Sequence, residues 1–369
     1  MHFTCEKSVL QAAINTVSRA AAAKSPIPAL EGILIEAGTG NVQLTGYDLK
    51  RGIYTKIDAD IREPGSIVLG ARIFGDIVRS LPNGMVTIKT GDKFAVSISC
   101  ERSEFSIVGS DDKEYPELPS VDSQSGVTLP QDLLGDMIRQ TLFAVSDNES
   151  RPVYTGALFE VSGGKLTVVS VDGYRLALRQ EEVDSVEEEL SFIVPGKALS
   201  DLEKLCSDSN EKLRITLGSK HISFTIGSTV LISRRLEGDF LNYHKAIPAS
   251  FGVEVTTERT ALQHAVERVS LIIDDKVKNP VRCTFSNNVI ALTCTTALGK
   301  AETVCPTDGD GKEIEIGFNN RYLLDALKAA PADEIKVCIN TGSSPCVICP
   351  ADGSKQFLYM ILPVRLKAE

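Results

Sequence analysis

The chain has 369 residues, of which 43% are hydrophobic and 24% are charged, a balance typical of globular proteins with buried cores. No stretch approaches the roughly 18 uncharged apolar residues of a membrane span, and charge appears at Glu6 and Lys7 before any apolar run, so neither a span nor a signal peptide is predicted. The formal net charge of -10 argues against nucleic acid binding unless the acidic residues are concentrated away from the binding surface.

Much of the acid does lie in short runs, at residues 111–112, 181–189 and 308–310, which is typical of solvated turns. The nine cysteines are odd in number and show no framework spacing, which indicates reduced thiols and not a disulfide scaffold. We therefore expect a cytoplasmic protein without disulfides.

The dominant feature of the chain is an internal repeat of about 124 residues. Residues 32–48 (GILIEAGTGNVQLTGYD) align with residues 156–172 (GALFEVSGGKLTVVSVD), and a fainter third copy is found at residues 283–293. Because a unit of this length is the size of one domain, the sequence predicts three copies of a domain and not a solenoid of short repeats. The predicted domains are 1–122, 126–248 and 251–369, with polar linkers at 119–126 and 248–252.

Each repeat is predicted to begin with an amphipathic helix, because apolar residues recur there at helical spacing. The three stripes are Leu10, Ile14 and Val17; Leu134, Ile138 and Leu142; and Leu262, Val266 and Val269. Short alternating apolar runs follow, separated by Gly-Thr-Gly-Asn and Ser-Gly-Gly-Lys turns, which favours antiparallel hairpins. The clearest predicted strands are 33–36, 42–45, 85–90, 94–100, 105–108, 166–169, 213–217, 222–226, 230–233 and 292–294.

A second predicted helix in each repeat carries the pattern basic-x-x-x-Asp-x-x-basic. The three copies are Arg72–Arg79, Lys197–Lys204 and Arg321–Lys328, centred on Asp76, Asp201 and Asp325. Positions i, i+4 and i+7 share one helix face, so each face shows two bases beside one carboxylate. This face is either a solvated surface with internal ion pairs, each contributing about a few tenths of a kcal/mol, or part of a DNA-facing surface. The order helix, strands, helix, strands predicts an α+β fold with antiparallel sheets.

No catalytic or metal-binding signature stands out in the sequence. The four histidines have no common spacing, and Cys346 and Cys349 form a lone C-x-x-C in a predicted strand, where they point to opposite faces. Neither Gly309–Lys312 nor Gly38–Gly40 has the residues of a phosphate-binding loop. We therefore predict no metal, no cofactor and no enzymatic activity of the chain itself, while a site assembled from residues distant in sequence stays open.

Three motifs carry a resemblance to a known family. They are Ser150–Glu160 (SRPVYTGALFE), Val171–Ala177 (VDGYRLA) and Tyr359–Leu366 (YMILPVRL). With these motifs and three repeats in the same order, essentially the whole chain resembles the bacterial DNA polymerase III beta subunit, the sliding clamp family. The resemblance implies a head-to-tail homodimer that forms a closed ring of six domains, with helices lining the pore and antiparallel sheets outside.

The implied function is that of a non-catalytic processivity factor of the DNA polymerase III holoenzyme, which a separate ATP-driven loader opens and closes around duplex DNA. Sliding requires weak attraction to phosphates without base readout. The positions that match the DNA-contacting residues of the family are Lys24, Arg72, Arg79, Asn148, Arg151 and Lys197, with Arg19, Arg139, Lys204, Arg321 and Lys328 as weaker additions.

The resemblance also implies a hydrophobic pocket between the second and third domains. It would receive short motifs from the polymerase alpha subunit, the clamp loader, other polymerases and repair proteins, and apolar walls with a few polar groups suit Leu or Phe anchors. The matching positions are Tyr154, Val171, Tyr174, Arg175, Leu176, Leu241, Ala246, Asn319, Tyr322, Ser344, Met360, Leu362, Pro363, Val364 and Arg365. For the dimer interface, the match indicates Phe105 and Ile107 in the first repeat against Ile272 and Ile273 in the third.

The chain departs from the family pattern at several positions. Pro152 and Val153 stand where members often have aromatic residues beside the DNA, and residues 367–369 extend past the usual end. Tyr174 stands where histidine is common, and Leu241 where proline is common. Two other interpretations therefore stay open: a peptide-binding scaffold that does not encircle DNA, and an enzyme whose site is assembled across the repeats.

Overall fold

The computed structural model describes residues 1–123, 125–183, 189–274, 277, 279–309 and 312–366. Most of the acidic run at 181–189, residue 310 and the C-terminal extension 367–369 therefore lie outside the described residues. The described chain contains seven α-helices and 25 β-strands. All strand pairs in its sheets are antiparallel, which confirms the predicted α+β fold.

The helices are α1 (Lys7–Val17), α2 (Ala71–Ser80), α3 (Gln131–Arg139), α4 (Gly196–Leu205), α5 (Tyr243–Ala246), α6 (Arg259–Ser270) and α7 (Asn320–Ala329). The stripes predicted for the first helices of the first and third repeats are confirmed, since all six of their apolar residues are buried. The prediction is wrong for Leu142, because α3 ends at Arg139. Just beyond that end, the Thr141 hydroxyl donates to the carbonyl of Met137 at 2.8 Å, and Leu142 begins a separate 3-10 turn.

The strands of the first repeat are β1 (His2–Glu6), β2 (Gly32–Ala37), β3 (Asn41–Tyr47), β4 (Arg51–Asp58), β5 (Asp60–Glu63), β6 (Gly65–Gly70), β7 (Met85–Thr90), β8 (Ala95–Cys100) and β9 (Ser103–Val108). Those of the second are β10 (Gly126–Pro130), β11 (Gly156–Ser162), β12 (Lys165–Val171), β13 (Arg175–Glu182), β14 (Leu190–Pro195), β15 (Lys212–Leu217), β16 (His221–Ile226) and β17 (Thr229–Arg234). Those of the third are β18 (Val253–Glu258), β19 (Val281–Ser286), β20 (Val289–Thr296), β21 (Gly299–Pro306), β22 (Ile314–Phe318), β23 (Glu334–Ile339), β24 (Cys346–Pro350) and β25 (Phe357–Ile361). The predicted strands lie inside these bounds except at Phe94, whose φ of 60° precedes β8.

The prediction that each repeat begins with a helix is wrong. A strand precedes that helix in every repeat: β1 before α1, β10 before α3 and β18 before α6. Buried and more exposed residues alternate in each of these strands, as at Phe3 and Cys5 in β1. The strands have only five or six residues, so their period-two signal is short beside the long helical stripe that follows.

The described chain divides into two compact units. The first comprises Met1–Leu133 and Asp201–Arg235, and the second comprises Leu134–Ser200 and the chain from Leu236 onward. The first unit contains the sheets β5-β1-β7-β8-β9 and β10-β15-β16-β17-β4-β3-β2-β6, and the second contains β14-β11-β12-β13-β25-β24-β23-β18 and β21-β20-β19-β22. Because both eight-stranded sheets cross a repeat boundary, the compact units do not coincide with the repeats, and the domain limits 1–122, 126–248 and 251–369 stay a prediction.

In the second unit, the eight-stranded sheet buries both faces. Tyr359 on β25 and Ile348 on β24 belong to the core that includes α6 and α7. Their neighbours Met360 and Val347 belong to a separate apolar cluster. Because successive strand residues point to opposite faces, this second cluster lies on the face that points away from α6 and α7, which we call the outer face.

Candidate functional site

The first copy of the basic stripe lies on an exposed face of α2. This helix buries Phe74 and Val78 on its other side. Arg79 Nη1 lies 2.9 Å from Asp76 Oδ1, and Arg72 Nε lies 4.0 Å from Asp76 Oδ2. The side chains of Arg72, Arg79 and Asp76 are 98%, 62% and 51% exposed. This copy is therefore the solvated face with internal ion pairs that the sequence predicts as one alternative.

In the second and third copies the carboxylate bonds to an arginine from a different element. Asp201 Oδ2 accepts from Arg51 Nε at 2.7 Å, and Asp325 Oδ2 accepts from Arg175 Nη1 at 2.5 Å. The side chains of Arg51 and Asp201 are only 7% and 12% exposed. The alternative of a solvated face with internal ion pairs therefore does not describe the carboxylates of these two copies, which bond to a more buried guanidinium.

Both arginines are held by the turn that precedes their strand. In the first repeat, Asp48 Oδ1 accepts from the backbone N–H of Lys50 and of Arg51. Asp172 Oδ1 accepts from the backbone two and three residues later, and its Oδ2 lies 2.9 Å from Arg175 Nε. An aspartate that closes such a turn fixes the local backbone. The turn therefore orients each guanidinium toward the carboxylate on the helix.

The other candidate DNA contacts are also exposed. They are Lys24, Asn148, Arg151 and Lys197, with Arg19, Arg139, Lys204, Arg321 and Lys328. Asn148 Oδ1 accepts from Ser150 N at 3.0 Å, in the turn that leads to Arg151. Lys328 Nζ lies 3.8 Å from Glu267 Oε1. Exposure suits contact with phosphates, and DNA contact stays a prediction for each of these residues.

Five of the candidate pocket residues join the apolar cluster on the outer face in the second unit. They are Tyr154, Val171, Leu176, Ala246 and Met360. Val171, Leu176 and Met360 are buried on β12, β13 and β25, while Tyr154 is half-buried in the 3-10 turn of residues 152–155. The Tyr154 ring packs edge-on against Phe240, with ring centroids 5.6 Å apart. This cluster supplies an apolar wall.

Two tyrosines and an arginine form a second group in the same unit. The rings of Tyr174 and Tyr322 stack with centroids 6.2 Å apart. The Arg175 guanidinium carbon lies 4.4 Å from the Tyr322 ring centroid and 5.4 Å from that of Phe143. Burial, followed by the charge of Asp172, raises the pKa of Tyr322, so this hydroxyl stays a hydrogen-bond donor at neutral pH.

The C-terminal candidates are tied to this second group by backbone hydrogen bonds. Leu362 N donates to Tyr174 O at 2.8 Å, and Val364 N donates to Gly317 O at 2.8 Å. A Cβ at Gly317 would lie 2.6 Å from Leu366 Cδ2 and 2.8 Å from Val364 O, so this close approach requires glycine. The segment therefore lies beside the tyrosine pair.

The remaining pocket candidates lie at the edges of these groups. Asn319 Oδ1 accepts from Arg321 N at 2.9 Å and caps α7, the helix that carries Tyr322. Ser344 closes a turn by donating to the carbonyl of Thr341 at 3.0 Å. Half-buried or exposed positions are taken by Leu241, Pro363, Val364 and Arg365. Within the described residues, no hydrogen bond or ring contact joins Leu241, Ser344 or Arg365 to the two groups, and peptide binding stays a prediction for the whole set.

Sequence reasoning missed several residues of this region. Asp172 had a signal, because it aligns with Asp48 at the end of the repeated segment. Asp325 was visible in the basic stripe, but nothing in the stripe indicates its pairing with Arg175. Phe143 and Phe240 lie in connecting segments without periodicity, so nothing in the sequence marks their contacts with Arg175 and Tyr154.

The four candidate interface residues lie next to sheet edges. Phe105, which is 36% exposed, and half-buried Ile107 are on β9, the last strand of the five-stranded sheet. Ile272 and Ile273 follow α6 and pack half-buried against the core of the second unit. The same helix contacts β21, the last strand of the four-stranded sheet, through Arg268, whose Nη2 donates to Thr303 Oγ1 at 3.3 Å.

No helix of the described residues has the length and apolarity to cross a membrane, and no cluster of three or more of their His, Cys, Asp or Glu side chains suits a metal ion. Cys346 is buried and Cys349 half-buried, on opposite faces of β24 as predicted. Burial raises the pKa of the Cys5 and Cys283 thiols to about 12, so these cysteines are unreactive at neutral pH.

Comparison with known proteins gives one consistent result. Three family models match in order: the N-terminal (residues 1–119), central (128–242) and C-terminal (244–365) domains of the DNA polymerase III beta subunit. The chain is 34% identical over 380 residues to the beta sliding clamp of Halalkalibacterium halodurans, covering 99% of this chain and 100% of that protein. It is 32% identical over 375 residues to the beta sliding clamp of Staphylococcus aureus, covering 99% of both.

Solved structures agree with the sequence relatives. The crystal structure of the DNA polymerase sliding clamp from Bacillus subtilis matches with a TM-score of 0.96 and 32% identity over 100% of both chains. A putative DNA polymerase III beta subunit from Eubacterium rectale matches with a TM-score of 0.95 and 33% identity, covering 99% of this chain and 100% of that one. These matches span nearly the whole chain, so the resemblance seen in the motifs is confirmed. The chain belongs to the DNA polymerase III beta subunit family, the beta sliding clamps.

Proposed function

We propose that two copies of this chain join head to tail into a closed ring that encircles duplex DNA and tethers the replicative polymerase. Family membership supports a non-catalytic role in DNA replication. The ring would act in the cytoplasm, and a separate loader would open and close it. The observation that carries the proposal is a pair of sheet edges without a neighbouring strand in the described chain, β9 and β21.

Within the chain, successive repeats are joined by strand pairing. In the first unit, β4 of the first repeat pairs with β17 of the second, with Ile53 opposite Leu231. In the second unit, β13 of the second repeat pairs with β25 of the third, with Ala177 opposite Tyr359. Each joint completes an eight-stranded antiparallel sheet and satisfies the backbone groups of both strands.

A third joint of the same kind is left open at the two ends of the repeat series. The strand orders β1-β7-β8-β9, β10-β15-β16-β17 and β18-β23-β24-β25 are equivalent, so β9 corresponds to β17 and β25. By the same comparison, β21 corresponds to β4 and β13. The hairpins β8–β9 and β16–β17 both have two-residue turns, so Phe105 corresponds to Leu231. The ladders β19–β20–β21 and β2–β3–β4 also match in register, so Ala301 corresponds to Ile53. We therefore expect β9 of one copy to pair with β21 of the other, with Phe105 opposite Ala301.

Exposure supports this joint. Leu231 and Tyr359, which correspond to Phe105, are both 0% exposed because a neighbouring strand covers them, whereas Phe105 is 36% exposed. On the same two strands, Val108 and Val304 are 77% and 61% exposed. Proteins cover long apolar edges of this kind, since open strands are templates for pairing with other chains. A second copy would cover both edges.

The distribution of charge supports DNA in the ring. Asp201 and Asp325 direct a carboxylate oxygen to Arg51 and Arg175, and each arginine also pairs with the aspartate of its own turn, Asp48 or Asp172. The flanking bases Lys197, Lys204, Arg321 and Lys328 are exposed, so phosphates can reach them. Diffuse positive charge without base-reading groups suits a sliding contact, because phosphates attract such a surface at every register.

The apolar wall and the tyrosine pair support binding of short linear motifs. The wall around Tyr154 and Met360 accommodates Leu or Phe anchors, and Tyr174, at 62% exposure, offers a ring at its border. The partners we propose are the DNA polymerase III alpha subunit, the clamp loader, other polymerases and repair proteins. All of them would use the same pocket and so would exclude one another.

The decisive experiment tests topological linkage. The protein is loaded by a clamp loader onto nicked circular DNA, the circle is cut once, and gel filtration measures how much protein stays with the DNA. Retention on circles and release after cutting is the expected result. An Ile272→Glu and Ile273→Glu double variant is the control, because it should not be retained on either form.

A scaffold that does not encircle DNA is the second candidate. It is favoured by α2, where Asp76 neutralises part of the charge of Arg72 and Arg79. Equal behaviour on circular and linear DNA, together with intact peptide binding, would support the scaffold and contradict the ring.

A further inference from the structure

A cavity of about 840 Å³ lies on the eight-stranded sheet of the first unit. Its floor is formed by residues of β2, β3, β4, β15, β16 and β17, and its roof by residues 112–122 of the segment that leads to β10. Tyr115 anchors this roof by donating from its hydroxyl to Thr45 O at 3.2 Å. The volume lies in the range of about 300–1,000 Å³ that is usual for ligand sites.

Two hydroxyl groups in the floor have no hydrogen-bond partner in the described chain and open into the cavity. Thr216 on β15 and Ser223 on β16 are directly opposite each other, are 9% and 7% exposed, and both line the cavity. Their counterparts on the outer face of the second unit are apolar, Cys338 and Val347, also directly opposite each other. The fold therefore does not require polar groups here, and both hydroxyls are available to donate to or accept from a ligand in the cavity.

The rim of the cavity is acidic. Four carboxylates line it, from Glu36, Asp112, Glu117 and Asp122, against one base, Lys113. Glu117 and Asp122 are exposed in the roof. A hydrogen bond from Ser66, at 2.6 Å, lowers the pKa of Asp112 and keeps that carboxylate charged. A cationic ligand is therefore favoured over a neutral or anionic one.

The lining suits a guanidinium group better than an ammonium group. The half-buried ring of Tyr54 lines the cavity and offers a face on which a guanidinium can stack. The planar fork can also bond to a rim carboxylate with two N–H groups while another reaches a floor hydroxyl. Val230 and Ile232, which also line the floor, can contact the aliphatic part of the ligand. Ile232 corresponds to Met360 of the candidate peptide pocket. The cavity therefore lies on the sheet face of the first unit that corresponds to the proposed peptide-binding face of the second.

We propose that this cavity is a second partner site of the chain, which binds an arginine-bearing peptide segment independently of the apolar pocket. The site goes beyond the proposed function, since it needs neither ring closure nor DNA. It would allow one partner to be held at two places, an apolar motif in the second unit and a basic motif in the first.

The test uses the full chain and the peptide acetyl-Gly-Arg-Leu-Arg-Gly-amide in isothermal titration calorimetry. The double variant Thr216→Val and Ser223→Ala removes the floor hydroxyls without changing the charge, and should weaken binding about five-fold or more. Thr128→Val is the control, because Thr128 lies on β10 of the same sheet and does not line the cavity. Unchanged binding by the double variant would overturn the proposal.

The charge of the rim is tested separately. Glu117→Gln with Asp122→Asn should weaken binding about five-fold or more, whereas Glu63→Gln with Asp92→Asn, two exposed acids outside the cavity, should change it less than about two-fold. Equal weakening by both pairs would mean general attraction to an acidic protein and would overturn the proposal. So would equal binding of a citrulline peptide, or spermidine that competes as well as the arginine peptide.

Discussion

Arg51 donates from Nε to Asp201 Oδ2 at 2.7 Å across 150 residues of sequence. Arg175 and Asp325 repeat this relationship at the same separation of 150 residues. In the first copy of the stripe, Asp76 instead bonds to Arg79 on its own helix. The aspartate of the stripe, present three times in the sequence, therefore bonds to an arginine of another element in two copies and to its own helix, at the surface, in the third.

The three aspartates should differ strongly in their effect on stability. Asp201→Asn removes one of the two carboxylates that pair with the buried Arg51, the other being Asp48, and should lower the free energy of unfolding by about 2 kcal/mol. Asp76→Asn, at the corresponding surface position, should cost less than about 0.5 kcal/mol. Asp325→Asn should fall between them, since that carboxylate is 41% exposed. Urea unfolding of the three variants gives the order, and equal losses would contradict this account.

Dimerisation should depend on the apolar residues beside the open edges. Ile272→Glu with Ile273→Glu places two charges against the proposed joint and should yield monomers by light scattering. Leu49→Glu, at an exposed turn residue of the first repeat, should leave the dimer intact. A double variant that is still dimeric at micromolar concentration would show that the joint lies elsewhere.

Peptide binding should require the exposed tyrosine of the pocket. Tyr174→Ala removes the ring stacked on Tyr322 and should weaken a fluorescent peptide with Leu and Phe anchors about ten-fold in a polarisation assay. Lys50→Ala changes the corresponding turn position of the first repeat and is the control. If both variants bind the peptide like the unmodified chain, Tyr174 does not belong to the site.

Contact with DNA should appear in the salt dependence of binding. Arg151→Ala with Lys197→Ala should reduce the slope of log affinity against log salt by about two on linear duplex DNA. Lys89→Ala with Lys165→Ala removes the same charge from exposed positions in strands and should leave the slope nearly unchanged. Equal slopes for the two double variants would mean that net charge alone governs binding.

Alkaline pH should destabilise the chain through its buried tyrosines. Burial, and then the hydrogen bond to Glu160, raises the pKa of Tyr243 above its ordinary value. The unfolded tyrosine ionises at about pH 10, so the stability due to this group is complete below that pH and is lost as pH rises further. Tyr243→Phe should therefore flatten the fall of Tm between about pH 9 and 11. An unchanged slope in Tyr243→Phe would contradict this assignment.

Local patterns in the sequence predicted the elements well where a face is long and apolar. Leu10, Ile14 and Val17 define α1 because each helical turn repeats the signal. The prediction failed at Leu142, because α3 ends at Arg139 and the Thr141 hydroxyl donates to the carbonyl of Met137 in its last turn. It also missed β1, since two buried residues in five carry little periodicity.

The site could be predicted only in part. Its residues came from resemblance and not from periodicity, because a pocket built from three strands, a turn and the chain end has no local pattern. The stripe could not predict the pairing of Asp325 with Arg175. A carboxylate on a polar helix face is expected to be solvated, and the arginine comes from a turn 150 residues earlier in the sequence. The repeat did contain the missing information, in the alignment of Asp48 with Asp172.

The edges β9 and β21 are different surfaces, so any association through them is heterologous. Such contacts close into a ring only when the rotation from one copy to the next brings the last edge back to the first, and otherwise they continue as a filament. The number of copies is therefore set by the twist of the sheets at all three joints, two of which lie inside the chain. A substitution that changes the twist between β4 and β17 should convert a dimer into open polymers, although it touches no residue of the interface.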